Sequence, residues 1–507
     1  MGTIRGLLLC ACVVVACAAA GAARGGLDIG VTEDAGKSGT GAAFFATLHD
    51  IGLKVNRVSV NWNPRTPATI GGQAEMRAWI PQAQASGTRI VFAVAPASAT
   101  DLTISPAAPA QFVAFVRRLA QSFPSVKDYV IGNEPNVNAF WRPQFDPAGK
   151  ALSAAQYEPV LAGSYDALKA VDPRITVIGV GLSPRGNDNP GAKSNVSRSP
   201  IRFLRDLGKA YRLSGRKTPL MDELAFHPYP SRNLDDPTVG YAWPNAGLPN
   251  LDRIKQAFWD AFHGTAQPTI AEHGNKFTRP LRLDLDEVGW QVAPLPALAS
   301  LYHGTETDKT VSEQTQADYY RDVITLIECD SSVRLLSFFH LIDERDLGRW
   351  QSGLERADGS HRPAYDAVKS TIAQTHGNCQ GAPVKWRHTA AVVRPVVSWG
   401  KLGKRSPVTR RIWSFKAGAG EEASFRAGIF KAGPKKAVLA KRLVTRRPRP
   451  QLYSTGTIRA KPRVVSFARR RLKPGKYVYA IRMTATVNPL RVSVLVSRPF
   501  RVGRARR

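Results

Sequence analysis

Residues 156–180 read QYEPVLAGSYDALKAVDPRITVIGV, and the period of the apolar residues changes halfway along. Tyr157, Val160, Leu161, Tyr165 and Leu168 recur at helical spacing over 156–170, and Asp172-Pro173 stops the helix. Ile175 to Val180 then runs apolar with little polar alternation, as a parallel strand covered on both faces should. The same pair of signals repeats in both directions along the chain. Strand-like runs fall at 27–31, 56–60, 89–94, 128–132, 175–180, 222–227, 282–287 and 334–339, and further helical periods at 109–121, 201–212, 251–262, 313–328 and 363–375. Eight strand–helix repeats over about 350 residues predict an α/β fold, a closed (β/α)8 TIM barrel. An open doubly wound sheet is the alternative, but no glycine-rich phosphate loop follows the first run.

The 507 residues are 43% hydrophobic and 22% charged, which excludes a collagen, a coiled coil and a wholly disordered chain. That length exceeds one ordinary domain of roughly 100–200 residues. The net charge of +32 is unevenly spread. Residues 385–507 carry 33 Lys and Arg against two acids, Glu421 and Glu422, whereas the rest of the chain carries 38 against 37. A nearly neutral region is therefore fused to a strongly basic one.

At the start, residues 1–23 combine Arg5, an apolar run from Leu7 to Ala20 and the small pair Ala22-Ala23, the layout of a secretory signal peptide. The run is too short for a comfortable membrane span, and a retained anchor is the competing reading. A third is a lipoprotein modified at Cys17, since Val14-Val15-Ala16-Cys17 loosely resembles a bacterial lipoprotein box. Cys10, Cys12 and Cys17 lie in this leader, leaving Cys329 and Cys379. In an exported protein two cysteines point to one disulfide, with two separate buried thiols as the alternative. The nine histidines are scattered and form no metal-binding Cys/His cluster.

In a barrel the working groups sit where strands end and the following loops begin. Those positions hold Glu33 and Asp34, Asn61-Trp62, Asn133-Glu134-Pro135-Asn136, His227-Pro228-Tyr229-Pro230, Glu287-Val288-Gly289-Trp290, and His340 with Asp343. Carboxylates after the fourth and seventh strands face each other across the barrel mouth. A pair about 5–5.5 Å apart suits retaining glycoside hydrolysis, in which one carboxylate attacks the anomeric carbon and the other protonates the departing oxygen and then activates water. The acid must hold its proton near neutral pH, which needs burial or a nearby negative charge.

Glu134 in VIGNEPN and Glu287 in LDLDEVGW resemble the acid/base and the nucleophile of clan A glycoside hydrolases, with families 5 and 39 nearest. AFHPYP, YDALKAVDP and GLERADGSHRPAYDAVK resemble supporting segments of that clan, and the resemblance spans roughly residues 27–375. It implies Glu134 as general acid/base and Glu287 as nucleophile. Asn133 would bind the sugar 2-hydroxyl, Arg57 in VNRVSV would support the nucleophile, and His227 and Tyr229 would line the site. No metal or organic cofactor is required by that chemistry. Two departures stand out. Asp286 precedes the nucleophile where the family more often has Thr, and strand alternation predicts that it points outward. Phe338, Phe339 and His340 stand where a sugar-flooring Trp is usual, so Trp62, Trp141, Trp290 or Trp350 would supply the stacking face.

Gln380-Gly381-Ala382-Pro383 reads as a linker, placing a barrel domain at 24–379, a linker at 380–386 and a basic domain at 387–507. Strand-like runs in the last fall at 389–397, 409–416, 423–430, 437–444, 463–468, 476–485 and 491–502, which predicts a β-sandwich resembling bacterial Ig-like or fibronectin-type modules. Arg446-Arg447-Pro448-Arg449, Arg469-Arg470-Arg471 and Arg504-Ala505-Arg506-Arg507 make it cationic, implying an anionic cell-wall polymer or a membrane surface as partner. The export signal argues against a physiological nucleic-acid partner. The expectation is a monomeric, secreted or cell-surface retaining glycosidase acting on β-linked oligo- or polysaccharides. The alternatives are a carbohydrate-binding protein without turnover and a cell-surface adhesion protein.

Overall fold

The computed structural model describes residues 26–38, 41–270, 280–386, 395–399, 413–419, 423–445, 450–458, 462–467, 472–485 and 492–503. The leader at 1–23 with its Cys17 box, the expected strand residues 389–394 and 409–412, and the arginine clusters at 446–449, 469–471 and 504–507 lie outside these residues.

Eight strands, β1 (Asp28–Thr32), β2 (Val55–Trp62), β3 (Arg89–Pro96), β4 (Asp128–Ile131), β5 (Thr176–Leu182), β6 (Glu223–Phe226), β7 (Arg282–Val288) and β8 (Val333–Phe338), close into a parallel barrel in sequence order. Closure comes from β1 pairing with both β2 and β8, Gly30 lying opposite Val55 on one side and Ser337 on the other. Each of the eight apolar runs read from the sequence is one of these strands, to within two residues at either end. The helices are α1 (Gly41–Ile51), α2 (Gln73–Ala85), α3 (Ala108–Ser122), α4 (Ser153–Val171), α5 (Pro200–Ser214), α6 (Leu251–Phe262), α7 (Glu313–Ile327) and α8 (Pro363–Thr375). Proline opens α5 and α8, a position where the missing N–H has no helical partner to lose.

The barrel interior is filled rather than open. Val55, Val91, Ala93, Val130, Ile178, Ala225 and Leu335 form a buried apolar cluster contributed by six strands. Near the strand starts the filling becomes ionic. Arg334 reaches Asp128 (3.0 Å), Asp284 (2.6 Å) and Glu223, while Arg89 joins Asp28 (2.6 Å) to Asp128 (3.0 Å). Two guanidinium groups thus face four acids. Burial, and then the Asp284 charge, push the Glu223 carboxyl well above the usual range.

Beyond residues 380–386, which form neither helix nor strand, all pairing among the described residues is antiparallel. The strands are β9 (Pro395–Ser398), β10 (Ser414–Ala419), β11 (Ala423–Lys431), β12 (Leu452–Ile458), β13 (Arg463–Ser466), β14 (Gly475–Ala485), β15 (Val492–Val496) and β16 (Phe500–Val502). One sheet runs β13-β10-β9 and the other β12-β11-β14-β15, with β16 beside β14. Both sheets bury side chains in one shared core, Trp413, Phe415 and Val465 meeting Phe425, Tyr479 and Ile481, which makes the pair a β-sandwich.

Two expectations for this region need correction. Residues 437–444 are not a strand but lie within a helix, α9 (Lys436–Thr445). Leu439 and Leu443, one turn apart, pack on Phe430, Val478 and Ala480 on the outer face of the larger sheet. That face of β14 is therefore covered rather than wet. The strand Leu452–Ile458 was not anticipated, because Ser454 and Gly456 interrupt its apolar alternation, as an edge strand tolerates.

Cys329 and Cys379 are joined in a disulfide spanning 50 residues of sequence around β8 and α8. Gly377 O also accepts the Leu27 N–H at 2.8 Å, tying the end of the last repeat to the start of the first strand. Replacing both cysteines with Ser should lower the stability of the barrel by about 2–4 kcal/mol. Guanidinium unfolding followed by tryptophan fluorescence measures this, and an unchanged midpoint would show that the clasp adds nothing to the packed repeat.

Candidate active site

At the carboxyl ends of the strands, charged groups from β2, β4, β6 and β7 converge. Arg57 on β2 is 2% exposed and occupies their centre. Its Nη1 donates to Glu287 Oε1 (2.8 Å), its Nη2 to Asn133 Oδ1 (3.0 Å), and its Nε lies 2.9 Å from Asp286 Oδ2. Burial alone would weaken its proton affinity, but the Asp286 and Glu287 charges outweigh that and hold it firmly cationic.

His227, just past β6, is fully buried. Nδ1 lies 3.0 Å from Glu134 Oε1 and 3.3 Å from Glu287 Oε2, and Nε2 lies 3.3 Å from Asp286 Oδ1. With carboxylates at both ring nitrogens, only an imidazolium can donate in both directions. Burial opposes that charge. The neighbouring Glu287 and Asp286 charges, with hydrogen bonds to Asp286 and Glu134, overcome it and raise the pKa to about 10. The Tyr229 hydroxyl donates to Glu287 Oε2 at 3.0 Å. Burial, and then the Glu287 and Glu134 charges, push that phenol well above its usual range, so it remains a neutral donor. Both oxygens of Glu287 are therefore held, one by Arg57 and the other by Tyr229 and His227.

Asp286 points inward, not outward as strand alternation predicts. It is fully buried, and although burial would raise it, Arg57 and His227 keep its carboxyl below the usual range. The β7–β8 register shifts between Leu285 and Val288, which breaks the alternation where the two acids stand. Thr32 Oγ1 fixes the strand there by donating to the Asp286 carbonyl at 2.5 Å.

Local backbone explains how Glu134 reaches this cluster. Gly132 has φ +86°, and a Cβ there would meet the Tyr157 ring at 3.1 Å. Glu134 is itself left-handed at φ +38°, and its N–H donates to Gly181 O at 2.8 Å. Gly181 sits at φ +57°, where a Cβ would press on His227 Nε2 at 3.2 Å. Beside it Val180 has φ +85°, an uncommon conformation for a β-branched residue. The Tyr157 hydroxyl holds both strand ends by donating to Ile131 O (2.5 Å) and accepting the Val180 N–H (2.9 Å). Tyr157 lies in the apolar stripe of its helix, and its phenol is the one mark in the sequence of this second role.

Three tryptophans do not line the site. Trp62, Trp141 and Trp290 are 0%, 3% and 1% exposed. Trp62 packs edge-on against Phe112 and Trp141 against Tyr157. Their indole N–H groups bond Pro67 O and Gln156 Oε1, and that of Trp290 bonds Asp235 O. They are core residues with no ring face open to a ligand. Trp350 differs. It is half-buried, lies 4.6 Å from the Tyr229 ring at 32°, and meets Phe339 edge-on at 5.6 Å. Glu33 and Asp343 are buried and structural rather than solvated. Glu33 accepts the N–H groups of Ala35, Leu341 and Ile342, and Asp343 takes both Nη groups of Arg362. Among the described residues no group of three or more His, Cys, Asp or Glu is placed to hold a metal ion.

No protein-family model and no curated protein matches the sequence. Among solved structures, the chain is similar to a family 39 glycoside hydrolase from Bacteroides cellulosilyticus WH2, with 15% identity, 88% of this chain and 81% of that one covered, and a TM-score of 0.49. It is also similar to GH5_18 from Streptomyces cattleya, with 16% identity, 76% and 85% covered and a TM-score of 0.44. For the exo-β-1,4-mannosidase Op5Man5 from Opitutaceae bacterium strain TAV5 the values are 14%, 69%, 60% and 0.41, so the chain spans less than two thirds of that protein.

The His227 proton is open to test. The folded state holds it with a pKa of about 10 against 6.5 for a free imidazole, so folding favours the protonated form. Its stabilisation is complete below about pH 6.5 and is lost as pH rises through about 10. Urea unfolding across that window should show the wild type losing stability and His227→Gln losing less. Equal slopes would mean that the buried ring is neutral.

Proposed function

We propose that the chain is a retaining glycoside hydrolase that cleaves β-linked O-glycosidic bonds, with Glu287 as nucleophile and Glu134 as acid/base. One observation carries this reading. Because His227 Nδ1 is 3.0 Å from Glu134 Oε1 and 3.3 Å from Glu287 Oε2, one buried ring holds both carboxyl groups and those oxygens are at most about 6.3 Å apart. That bound admits the roughly 5–5.5 Å of a pair that works by double displacement, which supports the retaining reading.

In the first step a Glu287 oxygen forms a bond to the anomeric carbon. The bond to the departing oxygen breaks, and that oxygen takes a proton from Glu134. In the second, Glu134 removes a proton from water, the water oxygen bonds to the same carbon, and the ester to Glu287 breaks. Three carboxyl groups here face two cations, so one proton on a carboxyl balances the cluster. Glu134 makes no described contact with Arg57, and the mechanism above uses it as the proton donor. Asn133, its Oδ1 taken by Arg57, keeps its amide N–H groups for a sugar hydroxyl, and Trp350 beside Tyr229 offers the stacking face.

The test is sugar release from β-glycans and aryl β-glycosides. Glu134→Gln should lose about 10²–10⁴-fold on unactivated substrates, and Glu287→Gln should lose turnover on all of them. Product NMR should show the β-anomer first. Wild-type rates in either variant would refute the assignment.

We further propose that the protein is exported and kept at the cell surface by its basic domain bound to an anionic wall polymer. Supporting this, Lys435, Lys436, Lys441, Lys473 and Lys476 are exposed there, in a region holding 33 Lys and Arg against two acids. A wash in about 1 M salt, where charges are screened within about 3 Å, should release the protein from cells. Retention through that wash would exclude an electrostatic tether.

A further inference from the structure

Immediately after Glu134 the chain enters a long loop, 135–152, that walls a cavity of about 730 Å³ together with the loop after β5. Asn138, Arg142, Phe145 and Asp146 line it from the first loop, Pro190 and Val196 from the second. The proposed mechanism uses none of these residues.

The walls are preformed. Gln144 is 2% exposed; its amide donates to Pro135 O (3.0 Å) and Trp141 O (2.9 Å), and its Oε1 accepts from Ser153 Oγ (3.0 Å). The tip is a closed turn in which Asp146 N–H donates to Lys150 O and Gly149 N–H to Asp146 O, both at 2.8 Å. Asn138 N–H reaches across to Val196 O at 3.2 Å, joining the two loops.

Phe145 is half-buried, with the Arg198 guanidinium carbon 5.6 Å from its ring centroid. Arg198 is itself fixed by Asp188 (3.0 Å) and Asp206, so it backs the ring while the ring lines the cavity. Arg142 uses Nε on Asn138 O (2.7 Å), leaving its two Nη groups without a partner among the described residues. The lining thus offers one supported aromatic face, a planar fork of N–H donors and an amide, with Arg142 and Asp146 offsetting each other in charge. That composition suits a neutral ring with apolar C–H faces and hydroxyl edges.

Position decides which part of a substrate would lie there. Glu134 protonates the departing oxygen in the mechanism above, and the cavity begins four residues further along the same loop. We propose, resting on that mechanism, that this cavity binds the departing portion of an extended glycan, with Phe145 stacking on a sugar ring and Arg142 and Asn138 bonding its hydroxyls. The enzyme then gains affinity for chains beyond what a terminal sugar with a small aglycone supplies.

The test uses binding, so it does not depend on turnover. Gluco-, manno- and xylo-oligosaccharides of two to six β-1,4-linked units are titrated calorimetrically into the full-length Glu287→Gln protein, and then into the same protein carrying Phe145→Ala. Affinity should rise with chain length in the first, and Phe145→Ala should remove about tenfold of that gain. Phe145→Trp, which keeps a stacking face, should retain it, and Arg142→Ala should reduce it without disturbing the Phe145 packing. Binding that shows no length dependence, no binding of any ladder, or a gain unmoved by Phe145→Ala would each overturn the proposal. Hydrolysis of aryl β-glycosides by the wild-type chain is measured alongside. Absence of that activity in the wild type would count against the glycosidase reading, while the titrations would still decide the cavity.

Discussion

One buried guanidinium organises the mouth of this barrel. Arg57 touches Glu287, Asp286 and Asn133, groups delivered by β7 and by the end of β4, and each would be a costly buried polar group without it. The dependence is mutual, since an arginine 2% exposed is tolerable only among such acceptors. His227 adds the second cation and links the two glutamates that Arg57 alone does not connect. Geometry and charge are thus set by the same contacts. The group that positions Glu287 binds one of its oxygens, and the group that positions Glu134 shares only one of its oxygens.

The backbone around these contacts is strained where they converge. Glu134 and Val180 both occupy left-handed conformations, each costing on the order of 1–3 kcal/mol. The β5–β6 register also shifts between Gly179 and Leu182. The bulge aims the Gly181 carbonyl at the Glu134 N–H, and Tyr157 reaches from α4 to hold the ends of β4 and β5 together. A hydroxyl buried in the helix layer therefore supports an arrangement on the opposite side of the sheet.

The barrel was legible because its strands are buried on both faces and its helices on one, so every repeat carries a change of period. The two glutamates were legible because strand ends in a closed parallel barrel point to one place. What escaped was whatever depends on a local break in regularity. Asp286 follows the alternation rule until the β7–β8 shift turns it inward. Residues 437–444 satisfy strand and helix patterns alike, and only Phe430 and Val478, distant in sequence, select the helix. The tryptophans show a further limit. A large aromatic at a loop start serves equally well as core or as sugar platform, and burial, which separates Trp62 from Trp350, is a property of the assembled packing.

Closure through β1 and β8 has a consequence for how the protein assembles. Asp28 pairs with Leu335, and the Leu27 N–H waits for the carbonyl of Gly377. A chain emerging from its amino end therefore carries β1 with one edge unpaired until nearly all of the barrel has been made. Such long-range pairing slows folding and leaves open sheet edges exposed to other chains. The Cys329–Cys379 clasp encloses the very repeat that ends this vulnerable interval. An oxidising compartment would thus act as a lock on the final step of barrel closure, joining the chemistry of the cysteines to the order in which the fold is completed.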